Sequence, residues 1–357
     1  MHYMVVAPPV LFFELLGDLS KYEAERADGV VATLSRNLHV AHPRVCSDAR
    51  DCALASLMGH PVPMEGRIPM PGGIRVPDPT GGYGIVFDHP PELDAVLRWH
   101  VRRFTDDERA QSLHYRESIK SLDMEAFQKQ LRKLHPNLSG LKSIRDVVQF
   151  VDTMLAQPTY QRLFVSLASL EAKVPARLRA AIMLRWDRER VGTLQQFAPY
   201  AHHFLRVSMT FYIGLQVGAI TTRKTNWIDL EYLRYLPFCH AFSTGDQLQL
   251  DVASEMLRLK QEVVPADVLK ADMARLAEWW QSLSEEERVC HRHDYGSQPP
   301  PSIDSHAATV WQKNFGPPKR NTKPKMTDEE RKALYEEFRP RFEAMQKALQ
   351  EHRRHRK

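Results

Sequence analysis

Four acidic residues of this 357-residue chain have the type and spacing to form a carboxylate site: Glu14 and Asp18 near its start, Asp229 and Asp246 far along it. Glu14 and Asp18 lie four apart in VLFFELLGDL, whose apolar spacing predicts a compact helix over 10–19 with both acids on one side. Asp229 opens WIDLEYLRYL, where Ile228, Leu230, Leu233 and Leu236 fall at helical spacing and Pro237 forbids continuation. The next run, Phe238 to Ser243, is short, apolar and aromatic, and Thr244, Gly245 and Asp246 mark a turn at its end. Asp246 is therefore expected at the carboxyl end of a buried strand, the edge at which open α/β sheets build their sites. Asp229 is expected near it, because helix N-termini favour negative charge and short connections keep elements adjacent. Plainer roles suit the same two residues, an acid in a helix's first turn and a turn aspartate.

The elements that must position these acids begin with Tyr3 to Ala7, a strand-like apolar run broken by Pro8 and Pro9 before the first helix. Strand, helix with an embedded Glu, then much later a helix with an Asp and a strand closing on an Asp: this order resembles the PIN-like nuclease family. The resemblance implies an α/β fold, a PIN-like parallel sheet flanked by helices, with a large mostly helical insertion and a charged C-terminal helical tail. It implies a metal-dependent endoribonuclease. Glu14 in FFELLGDL matches the family's helical Glu, Asp229 in WIDLEYL the Asp opening the later helix, and Asp246 in FSTGD the Asp closing the following strand. With Asp18 as a further candidate, these would hold Mg²⁺ or Mn²⁺, hard ions that take oxygen ligands, activate a water and stabilise the leaving oxygen. Arg223 and Lys224 in TTRKTN stand just ahead of Asp229, where basic groups would suit a polyanionic RNA substrate, and Arg353 and Arg354 in the terminal HRRHRK are further candidates for nucleic-acid contact. The chain departs from the family at its start. The family's first strand, ending in its first Asp, has no counterpart before Tyr3, and an in-frame upstream segment encoding that strand is the expectation.

Organisation follows composition. Residues 1–34 and 204–290 read as the α/β core, 35–90 as a Pro- and Gly-rich loop segment with short strands at 66–69 and 83–87, and 91–203 as the helical insertion. Residues 291–325 read as a linker and 326–357 as a basic helical tail opened by the capping sequence Thr327-Asp-Glu-Glu330. The net charge is +5, and the stretch 316–357 alone carries 13 Lys and Arg against 7 Asp and Glu, so the positive balance resides there. No apolar run approaches the roughly 18 to 20 residues of a membrane span, and neither a signal sequence nor a disulfide framework is evident in four scattered cysteines, which predicts a cytoplasmic protein. His39, His42, Cys46 and Cys52 are zinc-type residues outside the compact knuckle spacings. Arg98-Trp99 and Arg185-Trp186 pair guanidinium with indole, as RNA-gripping helices do and as ordinary helices with one core Trp also do.

A shared metal site makes a geometric demand. The strands 3–7 and 238–243 must lie near one another in a parallel sheet. Glu14, Asp229 and Asp246 must then gather within about 4 to 8 Å at its carboxyl edge, with carboxyl pKa values raised by mutual repulsion. The alternative is a non-catalytic helical protein that binds nucleic acid or another protein through its basic tail.

Overall fold

The computed structural model describes residues 7–36, 45–70, 73–78, 82–87, 91–134, 138, 140–324 and 326–355. The chain is mostly helical. Its helices are α1 (Pro9–Gly17), α2 (Ala24–Arg36), α3 (Ala49–Leu57), α4 (Pro91–His100), α5 (Asp106–Ser121), α6 (Met124–Leu134), α7 (Ile144–Leu155), α8 (Gln161–Glu171) and α9 (Ala176–Glu189). They continue with α10 (Leu194–Phe197), α11 (Pro199–Val217), α12 (Asn226–Glu231), α13 (Gln247–Met256), α14 (Ala266–Ser282), α15 (Glu285–Tyr295), α16 (His306–Phe315) and α17 (Asp328–His355). The strands are β1 (Gly73–Asp78), β2 (Gly82–Phe87), β3 (Ala241–Thr244) and β4 (Glu262–Pro265). Among the described residues no helix is long and apolar enough to cross a membrane.

The chain forms two compact units, one of Val5–Pro69 and Val96–Ala271, the other of Met1–Met4, Met70–Ala95 and Asp272–Lys357. The larger unit is built around α11. Pro199 starts this helix at a position where its missing N–H costs nothing, and the helix is then apolar nearly all round, as a buried helix must be. Tyr200, Phe204 and Leu205 join one cluster with Cys52 and Leu57 of α3, Phe164 of α8, Ile182 of α9 and Leu194 of α10. Val207, Phe211 and Leu215 join another, with Met124 of α6, Val148 of α7 and Val252 of α13 and with Leu230, Leu233 and Leu236. The helices of 96–203 thus share a core with the residues that flank Asp229. α11 is thus packed mainly among helices.

The parallel sheet is smaller than expected and paired differently. β3 runs parallel to β4, Ala241 opposite Glu262 and Thr244 opposite Pro265, with α13 as the crossover of a βαβ unit. Residues 3–6 lie outside the described residues; Ala7 forms a lone parallel bridge with Val45 and no pairing with β3. The strand expected at 238–243 starts three residues late. α12 tightens after Glu231 into a 3₁₀ segment, Tyr232–Phe238, and the Gln261 amide donates to the Leu236 and Cys239 carbonyls, holding that segment against β4. In the smaller unit β1 and β2 form an antiparallel hairpin, Gly73 opposite Phe87, where the sequence predicts its first short strand at 66–69. The fully buried Asp272 accepts from the His306 and Ala307 N–H groups at 2.7 and 3.1 Å and so caps α16, while α17, the expected tail helix, packs beside β1.

Candidate functional site

Glu14, Asp229 and Asp246 all belong to the larger unit, each held by a different element. Glu14 projects from α1, whose buried face is Phe12, Leu15 and Leu16. α1 packs on α5, and at Gly17 the Tyr115 ring comes so close that a Cβ would stand 2.8 Å from Cδ1. The Tyr232 hydroxyl, at the start of the 3₁₀ segment, donates to Glu14 Oε2. Asp229 sits in the first turn of α12, its N–H bonded to the Thr225 carbonyl at 2.9 Å. Asp246 is the N-cap of α13, its Oδ1 accepting from the Gln249 N–H at 3.0 Å, with Arg223 Nη1 3.6 Å from Oδ2.

Gln249 ties the two aspartates together. While its backbone is capped by Asp246, its buried side-chain amide donates to the Asp229 carbonyl at 2.7 Å. In a capping box the residue at this position reaches back to its own helix; here the Gln249 amide reaches across to α12. Tyr232 and Tyr115 were not singled out from the sequence. Tyr232 stands one turn beyond Asp229 and so on the same side of the chain, which was the available signal.

The carboxyl groups influence one another. Burial is the first reason that the Glu14 carboxyl lies above its usual range; the Tyr232 hydrogen bond opposes it, and the charges of Asp229 and Asp18 raise it further. Asp229 is raised by burial first and by Asp246 second, against Arg223 and the nearby Thr225 hydroxyl, which makes no hydrogen bond of standard geometry. Among the described residues Asp229 Oδ2 is shut off from solvent with no hydrogen bond of standard geometry. Burial also lifts the Tyr115 hydroxyl to about 12, and the charge of Glu14 raises it further. The expected rise of the carboxyl pKa values is therefore present in direction for Glu14 and Asp229, but desolvation outranks the repulsion to which it was ascribed. The charge of Asp229 acts on Glu14, as does that of Asp18, and the charge of Asp246 acts on Asp229. Among the described residues no three His, Cys, Asp or Glu side chains are grouped to enclose one ion.

The other sequence-derived candidates fall as follows. Asp18 starts a 3₁₀ turn and faces Lys21 at 3.7 Å. Arg223 is exposed at the rim beside Asp246, whereas the Lys224 ammonium donates to the Lys120 carbonyl. Arg354 is exposed on α17, and the side chain of Arg353 lies outside the described set. His39 and His42 also lie outside it, and Cys46 and Cys52 are buried in the core, where burial pushes the Cys52 thiol up to about 12 and Cys46 higher still, opposite to what a zinc thiolate needs. Both Arg-Trp pairs are structural. Trp99 is buried and donates to Glu108 at 3.1 Å beside the Arg98–Glu108 pair, and Arg185 is spent on the Leu57 and Phe197 carbonyls and on Glu189. Outside those candidates, His203 of α11 is buried, and burial holds it down to about 3, with Nε2 donating to the Leu233 carbonyl. No family model matches this chain, and no curated protein and no solved structure is significantly similar to it.

Proposed function

We infer that the acids at the junction of α1, α12 and α13 serve a PIN-like, metal-dependent hydrolysis of RNA phosphodiester bonds. The observation that carries this reading is the burial of Asp229 Oδ2, which among the described residues has no hydrogen bond of standard geometry, on an aspartate whose charge raises Glu14 and which Asp246 raises in turn. A buried, unpartnered carboxylate oxygen costs free energy unless something positive completes it. Mg²⁺ is commonly held by only one or two carboxylates together with waters and substrate phosphate oxygens, so a few interacting acids suit it where a closed cage would suit zinc. Asp229 would be its central ligand, with Glu14 or Asp246 beside it. Once bound, a divalent ion supplies water activation and stabilisation of the leaving oxygen.

The chain's own residues divide the remaining work. Tyr232 fixes the Glu14 carboxylate by binding one oxygen and leaving the other directed by the side chain's own geometry. Gln249 holds α12 and the α13 cap at fixed separation, so Asp229 and Asp246 keep their relation when substrate arrives. Arg223, exposed and only loosely paired, is placed to exchange Asp246 for a substrate phosphate.

The test joins cation binding to cleavage. Mn²⁺ should raise the melting temperature of the wild-type chain and support cleavage of a fluorogenic RNA that chelator abolishes, and Asp229→Asn should remove both. Since outer-sphere partners of metals already cost about 10- to 100-fold when removed, removal of a ligand should cost at least that. Neither a cation-dependent melting shift nor chelator-sensitive cleavage in the wild type would end the nuclease reading. RNA binding indifferent to chelator but falling steeply with salt would then point to the tail-based binding protein.

A further inference from the structure

We propose that the outer face of α8 and α9 is a docking surface for an acidic amphipathic helix of a partner protein. Tyr160, Leu163, Leu167 and Leu170 recur at spacings of three, four and three, and all are solvent-exposed, at 50, 52, 37 and 53%. Spacing of this kind places Leu163, Leu167 and Leu170 in one stripe along α8, which Tyr160, the residue that caps the helix, extends at its start, the seam a second helix reads. Single exposed leucines need no explanation, but a stripe of neighbouring apolar residues along one helix and its cap does. Beside the stripe, between α8 and α9, lies a groove of about 320 Å³ whose walls are small or flexible: Ser166 and Ser169 on one side, Ala176, Ala180 and Met183 on the other. Small residues let a helix approach closely, and Met adapts to what enters. Leu184, 71% exposed, adds a further apolar side chain on α9.

Charge selects the occupant. Residues 161–190 hold seven Lys and Arg against three Asp and Glu. All three acids are committed within the protein: Glu171 to the buried Arg234, Asp187 to Arg162 and Glu189 to Arg185. Lys173, Arg177 and Arg179 form no ion pair among the described residues, and Arg179 itself lines the groove. An apolar seam rimmed by unpaired cations matches a helix with leucines on one face and carboxylates beside them. A second copy docked face to face would set this basic rim against itself. Single-stranded RNA would want aromatic platforms, and the stripe offers one tyrosine among leucines.

The probe is a fluorescein-labelled, hydrocarbon-stapled peptide of about three heptads with Leu on its seam and Glu on its flanks, titrated against the full chain by anisotropy. Saturable binding is expected. Leu163→Ser and Leu167→Ser, at exposed positions, should each weaken it about tenfold or more with the melting temperature unchanged. The double reversal Arg177→Glu/Arg179→Glu should weaken the Glu-flanked peptide and strengthen a Lys-flanked version of the same seam. Equal affinity of both peptides for the wild type, no saturation up to about 1 mM, or retention of binding in the leucine variants would overturn the proposal. So would a concentration-dependent dimer abolished by Leu163→Ser, or an oligonucleotide that competes for the stripe, since each would assign the surface to another occupant.

Discussion

At the residue scale, Asp229 and Arg234 show opposite ways of burying a charge. Asp229 is half-buried, with an oxygen that among the described residues makes no hydrogen bond of standard geometry and with a neighbouring acid, so its ionised form is disfavoured in the fold. A carboxyl whose folded pKa is raised holds its proton longer in the folded than in the unfolded state. From its ordinary value of 3.8 upward, stability therefore falls as pH rises through the raised pKa. Asp229→Asn should accordingly stabilise the chain at neutral pH by about 0.5 to 1 kcal/mol, solvent screening at this half-exposed position keeping the gain small. The gain should vanish in acid, where both forms are neutral. Urea midpoints of the two proteins at about pH 3 and pH 7 check this, and a difference that stays constant across that range would refute the assignment of the shift. Arg234, by contrast, is 1% exposed and has both of its terminal guanidinium nitrogens paired with acids. It pairs with Glu231 at 2.8 Å and Glu171 at 3.1 Å, and its guanidinium lies 4.1 Å from the Phe204 ring and 5.0 Å from that of Trp227. Arg234→Met fills similar space but strands two carboxylates, and a loss of about 3 to 5 kcal/mol in denaturant melts is expected. Because Arg234 lies on the segment that carries Tyr232, the same variant should loosen Glu14 from its phenol.

At the element scale, α11 sets the precision of everything around it. With α7 it contributes to both apolar clusters of the larger unit, and its last turn doubles back on itself, with the Ile220 N–H bonded to the Gly214 carbonyl at 2.9 Å. A Cβ at Gly214 would stand 2.6 Å from Ile220 Cδ1 and 2.8 Å from Cγ1, and Ile220 is itself buried. In an open helix Gly→Ala gains roughly 0.5 to 1 kcal/mol. Here the clash dominates, and Gly214→Ala should destabilise by about 1 to 3 kcal/mol. Pairing it with Ile220→Val, which frees the space, should recover part of that loss. A Gly214→Ala chain as stable as the wild type in urea would show that the turn after α11 yields without cost. The 3₁₀ segment Tyr232–Phe238 depends on the same region, since the Tyr200 hydroxyl of α11 donates to the Arg234 carbonyl at 2.9 Å and Tyr200 stacks on Phe238 at 5.0 Å. α11 thus fixes the stretch between Asp229 and Asp246 from behind.

At the scale of the whole molecule, charge and apolar surface are distributed unevenly. The tail helix α17 exposes Leu334, Tyr335 and Phe342 and carries internal pairs such as Arg339 with Glu336 at 3.0 Å, so it is a solvated helix with little burial of its own. Removal of residues 326–357 should leave the melting transition of the larger unit intact while making the salt dependence of RNA binding shallower, by about 0.7 in log-log slope for each phosphate that the tail neutralises. Sedimentation, circular dichroism and binding isotherms at several salt concentrations report on this. An unchanged slope would remove the tail from the interface, and a large drop in melting temperature would show that α17 is needed for folding.

What the amino-acid sequence determined by itself is local. Helices over 10–19 and 326–357 were legible because apolar periodicity, prolines and capping residues act within a few residues, and α1 and α17 lie there. Asp246 in a turn just after the strand was legible for the same reason, whereas its role as the N-cap of α13 came from the structure. What only tertiary structure decided is which elements meet. β3 found β4 because α13 makes a short crossover between them, a pairing that four-residue strands do not announce. Glu14 reached Tyr232 across 218 positions because α1 docks on α5. Whether Asp229 faces water, a partner or another acid is set by elements distant in sequence, since burial and charge are properties of the assembled surroundings and not of the residue.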